Sequence, residues 1–307
     1  SNDSTASIDT TVQEKNITFP TDSKLHRKII DKCRNIAEKE NLPVRQSYTR
    51  TLKKLSLDQR FRNHPRNKWK ARKADRKEKT IAGRLVRELE RNLSPDSRYQ
   101  SDIDLFKRIL NQKKSDKNKI YSVHEPDVQC ISKGKEHKKY EFGNKVSIIY
   151  TQTTGVIIGA LGFRNPYDGH TIEPALEQTE RLLGKRTLKT LIGDRGYKGK
   201  RQINDTTIEI PKPFNNRKQS QYQQNKLKKQ FRKRAAIEPI NGHLKTDHRL
   251  NRNFYKGITG DNINVMLAAA AFNFKRMMNK WKSSFWLEFK IQIVDLIKAM
   301  FYQINNN

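Results

Sequence analysis

The sequence is short of cysteine, of acids and of long apolar runs, and each shortage closes off a class of protein. Cys33 and Cys130 are the two cysteines among 307 residues, and neither belongs to a Cys-x-x-Cys pair. No disulfide framework or zinc ribbon is therefore expected, and a reducing cytoplasm is the default compartment. The most apolar C-terminal stretch, residues 285–304, is broken by Glu288, Lys290, Asp295 and Lys298. With no signal peptide at the start, the chain reads as soluble rather than membrane-bound. Hydrophobic residues make up 34% and aromatic ones 8%, which predicts a real core with long basic excursions. Methionine is missing until Met266 and recurs at Met277, Met278 and Met300, so upstream sequence is expected to be missing.

The acid deficit has the largest consequence. Against 64 Lys and Arg stand 32 Asp and Glu, giving a formal net charge of +32 and a sequence pI near 10.2. A surplus of that size repels itself in a compact fold unless it meets a polyanion. Nucleic acid is the fitting partner, because the cations are spread over helices and loops rather than gathered beside an apolar anchor. The length suits one large domain or two smaller ones.

Along the chain, residues 4–9 and 17–19 read as short strands. From residue 23 to about 116 the apolar spacing turns helical: Leu25, Ile29, Ile30, Cys33 and Ile36, then Ile81, Leu85, Val86 and Leu89, then Ile103, Leu105, Phe106, Ile109 and Leu110. Ser94 and Pro95 mark a helix boundary. The pattern then switches to a hairpin over residues 145–150 and 156–163, joined by Thr153, Thr154 and Gly155. A helix is expected over about 171–183. A short buried strand at Thr190, Leu191 and Ile192 runs into Gly193-Asp194-Arg195-Gly196-Tyr197, a way to present a carboxylate at a sheet edge. Residues 207–210 predict a last strand before Pro211 and Pro213, and helix follows from about residue 219. Strands alternating with helices imply an α/β fold whose carboxylates meet at one sheet edge.

The most specific local pattern is Phe231-Arg232-Lys233-Arg234-Ala235-Ala236-Ile237-Glu238-Pro239-Ile240-Asn241-Gly242-His243-Leu244-Lys245. Taken as one helix, it puts Arg234, Glu238 and Lys245 on a single stripe, suited to holding metal ions beside a phosphate backbone. The plain alternative is a solvated face with an i, i+4 ion pair.

The spacing Arg-x-x-x-Glu-x-x-x-x-x-x-Lys resembles the Tyr-Arg-Glu-Lys signature of DDE-type insertion-sequence transposases, with Phe231 in place of the tyrosine. Ala236-Ile237-Glu238-Pro239, Gly242-His243-Leu244-Lys245, Asp247-His248-Arg249-Leu250, Arg252-Asn253-Phe254, Lys256-Gly257 and residues 260–274 resemble the insertion sequence five family in particular. Gly193-Asp194-Arg195-Gly196-Tyr197-Lys198-Gly199 is similar to its second-acid motif. Glu141-Phe142-Gly143-Asn144-Lys145 and Pro166-Tyr167-Asp168-Gly169-His170-Thr171 are similar to its intervening segments. Asp9-Thr10-Thr11-Val12, followed by Pro20-Thr21-Asp22, resembles the first-acid strand. The likeness runs from about residue 5 to about 280.

The resemblance implies a ribonuclease H-like mixed sheet flanked by helices, with a basic helical insertion between the first and later strands. The implied organisation is 1–22 for the first strands of the catalytic core, 23–118 for the insertion, 119–250 for the rest of the core and 251–307 for C-terminal helices. It implies a DNA transposase that cuts at element ends and transfers strands to target DNA through Asp9, Asp194 and Glu238, which would hold Mg²⁺, or Mn²⁺ in its place. In-line displacement at phosphorus builds charge on the attacking and leaving oxygens, and carboxylate-bound hard cations stabilise both. Asp9 and Asp194 are expected on adjacent strands, with Glu238 closing the site. The implied partners are double-stranded DNA, both terminal inverted repeats and target, and a second copy of the chain on it, with no membrane. The implied location is the cytoplasm, at the nucleoid.

Other residues keep two readings. Asp168 and His170 are either an acid/base pair or the cap of the following helix. His124, His243 and His248 are either metal ligands or surface residues. Asp22 is read as a helix N-cap, and Glu125 and Asp127 rival Asp9 as first acid. Arg195, Lys198, Arg201, Arg234, Lys245, Lys133 and Lys135 are expected DNA contacts, as are the runs 226–234 and 66–79, where Trp69 offers a stacking surface. Two other functions stand beside the enzyme: a truncated remnant that binds DNA without cutting it, and a basic protein coating RNA. The acids set within motifs around Asp194 and Glu238 argue against the coat protein.

Overall fold

Strand β1 (Thr5–Glu14) is buried along nearly its whole length, although most of its residues are polar. In the computed structural model, which describes residues 4–132, 138–184, 188–211 and 220–305, the reason is its central place. The chain leaves β1 through α1 (Asp22–Lys39), α2 (Thr49–Asp58), α3 (Pro65–Asn92), α4 (Gln100–Asn111) and the short β2 (Gln129–Ile131). It continues with β3 (Glu141–Thr151), β4 (Ile157–Phe163), α5 (Ile172–Leu183), β5 (Thr190–Ile192), β6 (Gln202–Ile203) and β7 (Thr206–Glu209). It ends in α6 (Gln221–Arg234), α7 (Ile237–Thr246) and α8 (Gly257–Asn305). Two units divide the chain, residues 16–142 and the remainder.

In the unit that holds β1, the strand order is β4-β3-β1-β5-β7-β6. β3 is antiparallel to β1 and to β4, whereas β5 is parallel to β1 and β7 parallel to β5, so the sheet is mixed. β1 thus has a neighbour on each edge, and its Thr10, Thr11 and Gln13 are buried with Ala6, Ile8 and Val12. The pleat sorts side chains by parity. Val146, Ile148 and Tyr150 pack with Ile237, Ile240 and Leu244 of α7 and Val265, Ala268 and Phe272 of α8. Ile149 turns the other way, with Ala6, Ile8, Leu191 and the α5 residues Ile172, Ala175 and Leu176.

The unit of residues 16–142 has its own core, built from α1 to α4. Leu25, Ile29, Ile30 and Cys33 of α1 meet Ala74, Ile81, Leu85 and Leu89 of α3 and Ile103 and Phe106 of α4. Spacings of three and four residues put these on one stripe per helix, which is why this part reads so clearly as helix. Glu78 lies fully buried within the α3 stripe, accepting from Ser23 Oγ at 2.7 Å and paired with Arg27. A buried carboxylate without such partners would cost several kcal/mol.

Three local expectations are corrected. Residues 17–20 are not a strand; Pro20 carries no N–H for a ladder, and Phe19 instead meets the Phe142 ring edge-on at 5.5 Å. The N-cap of α1 is Thr21, whose side chain accepts from the Lys24 N–H, while Asp22 sits in the first turn, where its charge suits the helix dipole. Arg234 and Glu238 do not share a helix, because α6 stops at Arg234 and α7 starts at Ile237. Pro239 has no N–H to bond the Ala235 carbonyl and its ring crowds that carbonyl, so a continuous helix breaks there. The Glu238 N–H takes the Ala235 oxygen instead, at 3.2 Å. Among the described residues, no helix is long and apolar enough to cross a membrane.

Candidate active site

The sheet register brings two acids together. Ser7 of β1 stands opposite Ile192 of β5 in the parallel pair, and two residues further along each chain come Asp9 and Asp194. Asp9 is still within β1, opposite Ile148 of β3, so its side chain points to the α7 and α8 face. Asp194 lies just beyond β5 and caps the 3-10 turn Arg195–Tyr197, its Oδ1 accepting the Gly196 N–H at 2.7 Å. A side chain at 196 would displace these carboxylates, since a Cβ there would sit 2.9 Å from Asp194 Oδ1 and 3.2 Å from Asp168 Oδ2.

Arg234, the last residue of α6, reaches both acids. Its Nη2 is 3.6 Å from Asp194 Oδ2 and 3.9 Å from Asp9 Oδ1. The Tyr150 hydroxyl donates to the Arg234 carbonyl at 3.1 Å and so ties the end of α6 to β3. From α7, Asn241 Nδ2 donates to Asp9 Oδ2 at 3.1 Å. Nothing in the sequence pattern singled out Asn241. Its place three residues after Glu238, one helical turn along α7, is the signal that points to it.

Asp168 is a correction. It neither caps the helix that follows nor pairs with His170. Its Oδ1 accepts from Thr10 Oγ1 at 3.0 Å and lies 3.0 Å from Lys145 Nζ, which also donates to the Pro166 carbonyl at 2.6 Å. At the start of α5, Thr171 Oγ1 donates to the Asp168 carbonyl instead. Tyr197, fully buried, stands among these acids: burial pushes its phenol well above the usual range, and the charges of Asp9, Asp168 and Asp194 push the same way.

Glu238 sits exposed in the first turn of α7. Among the described residues, no three His, Cys, Asp or Glu side chains stand close enough together to hold a metal ion, so Glu238 is not gathered with the two aspartates. What is gathered suits a hard dication in part: two adjacent carboxylates, and Asn241 Oδ1, buried without a hydrogen-bond partner among the described residues. Arg234 stands close to both carboxylates in the present arrangement.

The expected DNA contacts divide. Arg195, Lys198 and Arg201 are exposed along the segment after Asp194, and Lys245 is half-buried on α7. Lys133 and Lys135 lie outside the described residues. Glu125, buried, and Asp127, exposed, belong to the unit of residues 16–142. His243 Nδ1 is 3.0 Å from Asp247 Oδ2, His248 packs edge-on to Phe272, and His124 lies 3.0 Å from Ser122 Oγ.

Residues 114–274, more than half of the chain, match the family described as Transposase DDE domain. A stretch of 59 residues is 42% identical to the uncharacterized protein ORF8 in the nfe locus of Rhizobium meliloti, covering 19% of this chain and 28% of that protein. This chain therefore spans less than a third of that relative's length. No solved structure matches it significantly.

Proposed function

The chain belongs to the transposase DDE-domain family, and from that premise we propose that it cuts DNA at the ends of an insertion sequence of the five family and joins them to target DNA. Asp9, Asp194 and Glu238 are its acid triad, on a sheet of ribonuclease H-like type. The observation that supports this reading is the pair formed by Asp9, on β1, and Asp194, two residues past the end of the parallel neighbour β5, with Arg234 beside both.

Each residue has a separate task. Asp9, fixed by the central strand and by Asn241, offers oxygens from a rigid position. Asp194 offers its own from the turn after β5, aimed by the Gly196 N–H. Glu238, at the start of a short helix behind the α6 break, swings in to complete the set when DNA is bound. A divalent ion held there, Mg²⁺ or Mn²⁺, supplies charge neutralisation at the oxygens entering and leaving phosphorus. Arg234 leaves its ion pairs with the aspartates and turns to a phosphate, while Arg195, Lys198, Arg201 and Lys245 position the backbone. Two copies acting together hold the two element ends, in the cytoplasm at the nucleoid.

A second reading has one observation in its favour: Glu238 stands outside any three-acid cluster among the described residues. On that reading the chain binds DNA without cutting it. One experiment separates the two. The purified chain is incubated with supercoiled plasmid carrying the DNA that flanks its gene, with Mg²⁺ and then with Mn²⁺, beside Asp194→Asn. Metal-dependent nicking lost in Asp194→Asn supports the enzyme; a folded wild-type chain that binds but never nicks supports the second reading.

A further inference from the structure

Between α2 and α3 the chain turns through residues 59–64, and this turn holds outward what a core would take in. Phe61 is 80% exposed, Trp69 in the start of α3 is 69% exposed, and Leu57 at the end of α2 is 56% exposed. Phe61 also has φ +50°, in the left-handed region that a bulky side chain rarely adopts. Such a conformation persists only where the surroundings over-determine it.

The surroundings here do so. The His64 N–H bonds the Phe61 carbonyl at 2.9 Å, and the Arg60 N–H bonds the Leu57 carbonyl at 3.1 Å. Behind them, the Gln59 amide nitrogen is 2.9 Å from each of Ser23 Oγ, Asp75 Oδ1 and Glu78 Oε2. Arg62 pairs with Asp75, and Lys70 pairs with Asp58 at 3.1 Å. Phe61 is therefore presented on a fastened polar base.

The charge around it names the partner. Residues 59–74 carry seven cations, Arg60, Arg62, Arg66, Lys68, Lys70, Arg72 and Lys73, and no acid; all seven are exposed. Lys73 Nζ lies 5.4 Å from the Trp69 ring centroid. An apolar protein partner would have to desolvate those cations, which is costly. A lipid surface would want a continuous apolar face, but the apolar face of α3, with Ala74, Ile81 and Leu85, is spent inside its own unit. Flat apolar surfaces within a polyanion are the bases of nucleic acid.

We propose that the Phe61 turn, together with Trp69, is a base-stacking site that takes unpaired or unstacked bases while the neighbouring cations hold the phosphates. It rests on the nucleic-acid reading above and adds where, and through what chemistry, this unit grips DNA.

The test uses the full chain in chelator, so that cleavage plays no part. Anisotropy is followed with a labelled duplex, either fully paired or carrying a small unpaired bubble. Wild type binds the bubble more tightly. Phe61→Ala and Trp69→Ala each weaken bubble binding about 5- to 150-fold, the equivalent of ~1–3 kcal/mol per stacked base, and Phe61→Tyr keeps it. The salt slope stays the same in the aromatic variants, whereas Arg60→Gln and Arg66→Gln lower it by about 0.9 per lost phosphate contact. Unchanged urea midpoints show that the variants are folded. Bubble preference that survives in Phe61→Ala overturns the site, as does tighter binding to phosphatidylserine vesicles that falls in the same variants. A wild-type chain that binds neither DNA overturns the transposase reading itself, so the two failures are distinct.

Discussion

Asp9 and Asp194 each lie two residues beyond the paired Ser7 and Ile192 of two parallel strands, Asp9 still within β1 and Asp194 in the turn after β5, and one guanidinium, that of Arg234, lies within 4 Å of both. The cation offsets the repulsion between two carboxylates that the sheet forces side by side. The same closeness makes Arg234 a competitor for any cation that the aspartates bind.

Arg234→Gln removes that competitor. The expected result is Mn²⁺ binding tightened about tenfold, read by the loss of free-ion signal in electron paramagnetic resonance. Arg234→Lys restores a point charge and stays within about threefold of wild type. Equal Mn²⁺ affinity in all three proteins would take Arg234 out of the site.

Gly143 of β3 faces Glu14 of β1, and a Cβ there would lie 1.9 Å from the Gln13 carbonyl oxygen. Backbone cannot yield that far, so Gly143→Ala costs about 3 kcal/mol or more in urea unfolding. Gly83→Ala is the contrast. Its Cβ would meet the tip of Arg87 at 3.3 Å, a flexible group, and the change gains about 0.5–1 kcal/mol from helix propensity.

Lys15 and Asp261 form an ion pair of 2.5 Å with side chains 3% and 4% exposed, where Asn144 and Asn253 also donate to Asp261. Lys15→Met leaves a buried carboxylate short of its countercharge and costs about 3–5 kcal/mol. Adding Asp261→Leu costs less than the sum of the two single changes, because the uncompensated charge is gone. Strict additivity in the cycle would show that the pair is uncoupled.

Cys33 sits in the core of the helical unit, where burial pushes its thiol up to about 12, with Asp102 adding to the shift. The folded chain then holds the proton more tightly than the unfolded one. This part of the stability is whole below pH 9 and is lost as pH rises toward 12, by up to about 4 kcal/mol. Cys33→Ala lacks it, so the difference between wild type and variant in urea shrinks over that window. Parallel pH profiles would contradict the burial of Cys33. Thiol reagent at neutral pH is expected to label the half-exposed Cys130 first.

Much was legible before the fold was known. The helices α1, α3 and α4 announce themselves because each packs one stripe against its neighbours, and three- and four-residue spacing records that directly. The β3–β4 hairpin and the Gly193-Asp194-Arg195-Gly196 turn are local devices, written in consecutive residues. The Pro239 break was equally local, yet the spacing of Arg234, Glu238 and Lys245 masked it.

Only the tertiary structure decided the rest. β1 shows no alternation because both its faces are covered and β3 runs along one edge from Ala6 to Glu14, so polar Thr10, Thr11 and Gln13 are buried beside Ile8 and Val12. Asp168 finds Thr10 and Lys145, and Asn241 finds Asp9, through packing between segments far apart in the chain. The sequence by itself determined where α1, α3 and α4 lie, where the Asp194 turn lies and that the chain carries a large positive surplus, since propensity, turn chemistry and net charge are summed over neighbours. Which acids stand side by side was decided by the pairing of β1 with β5, because register is a property of two strands together and of neither alone.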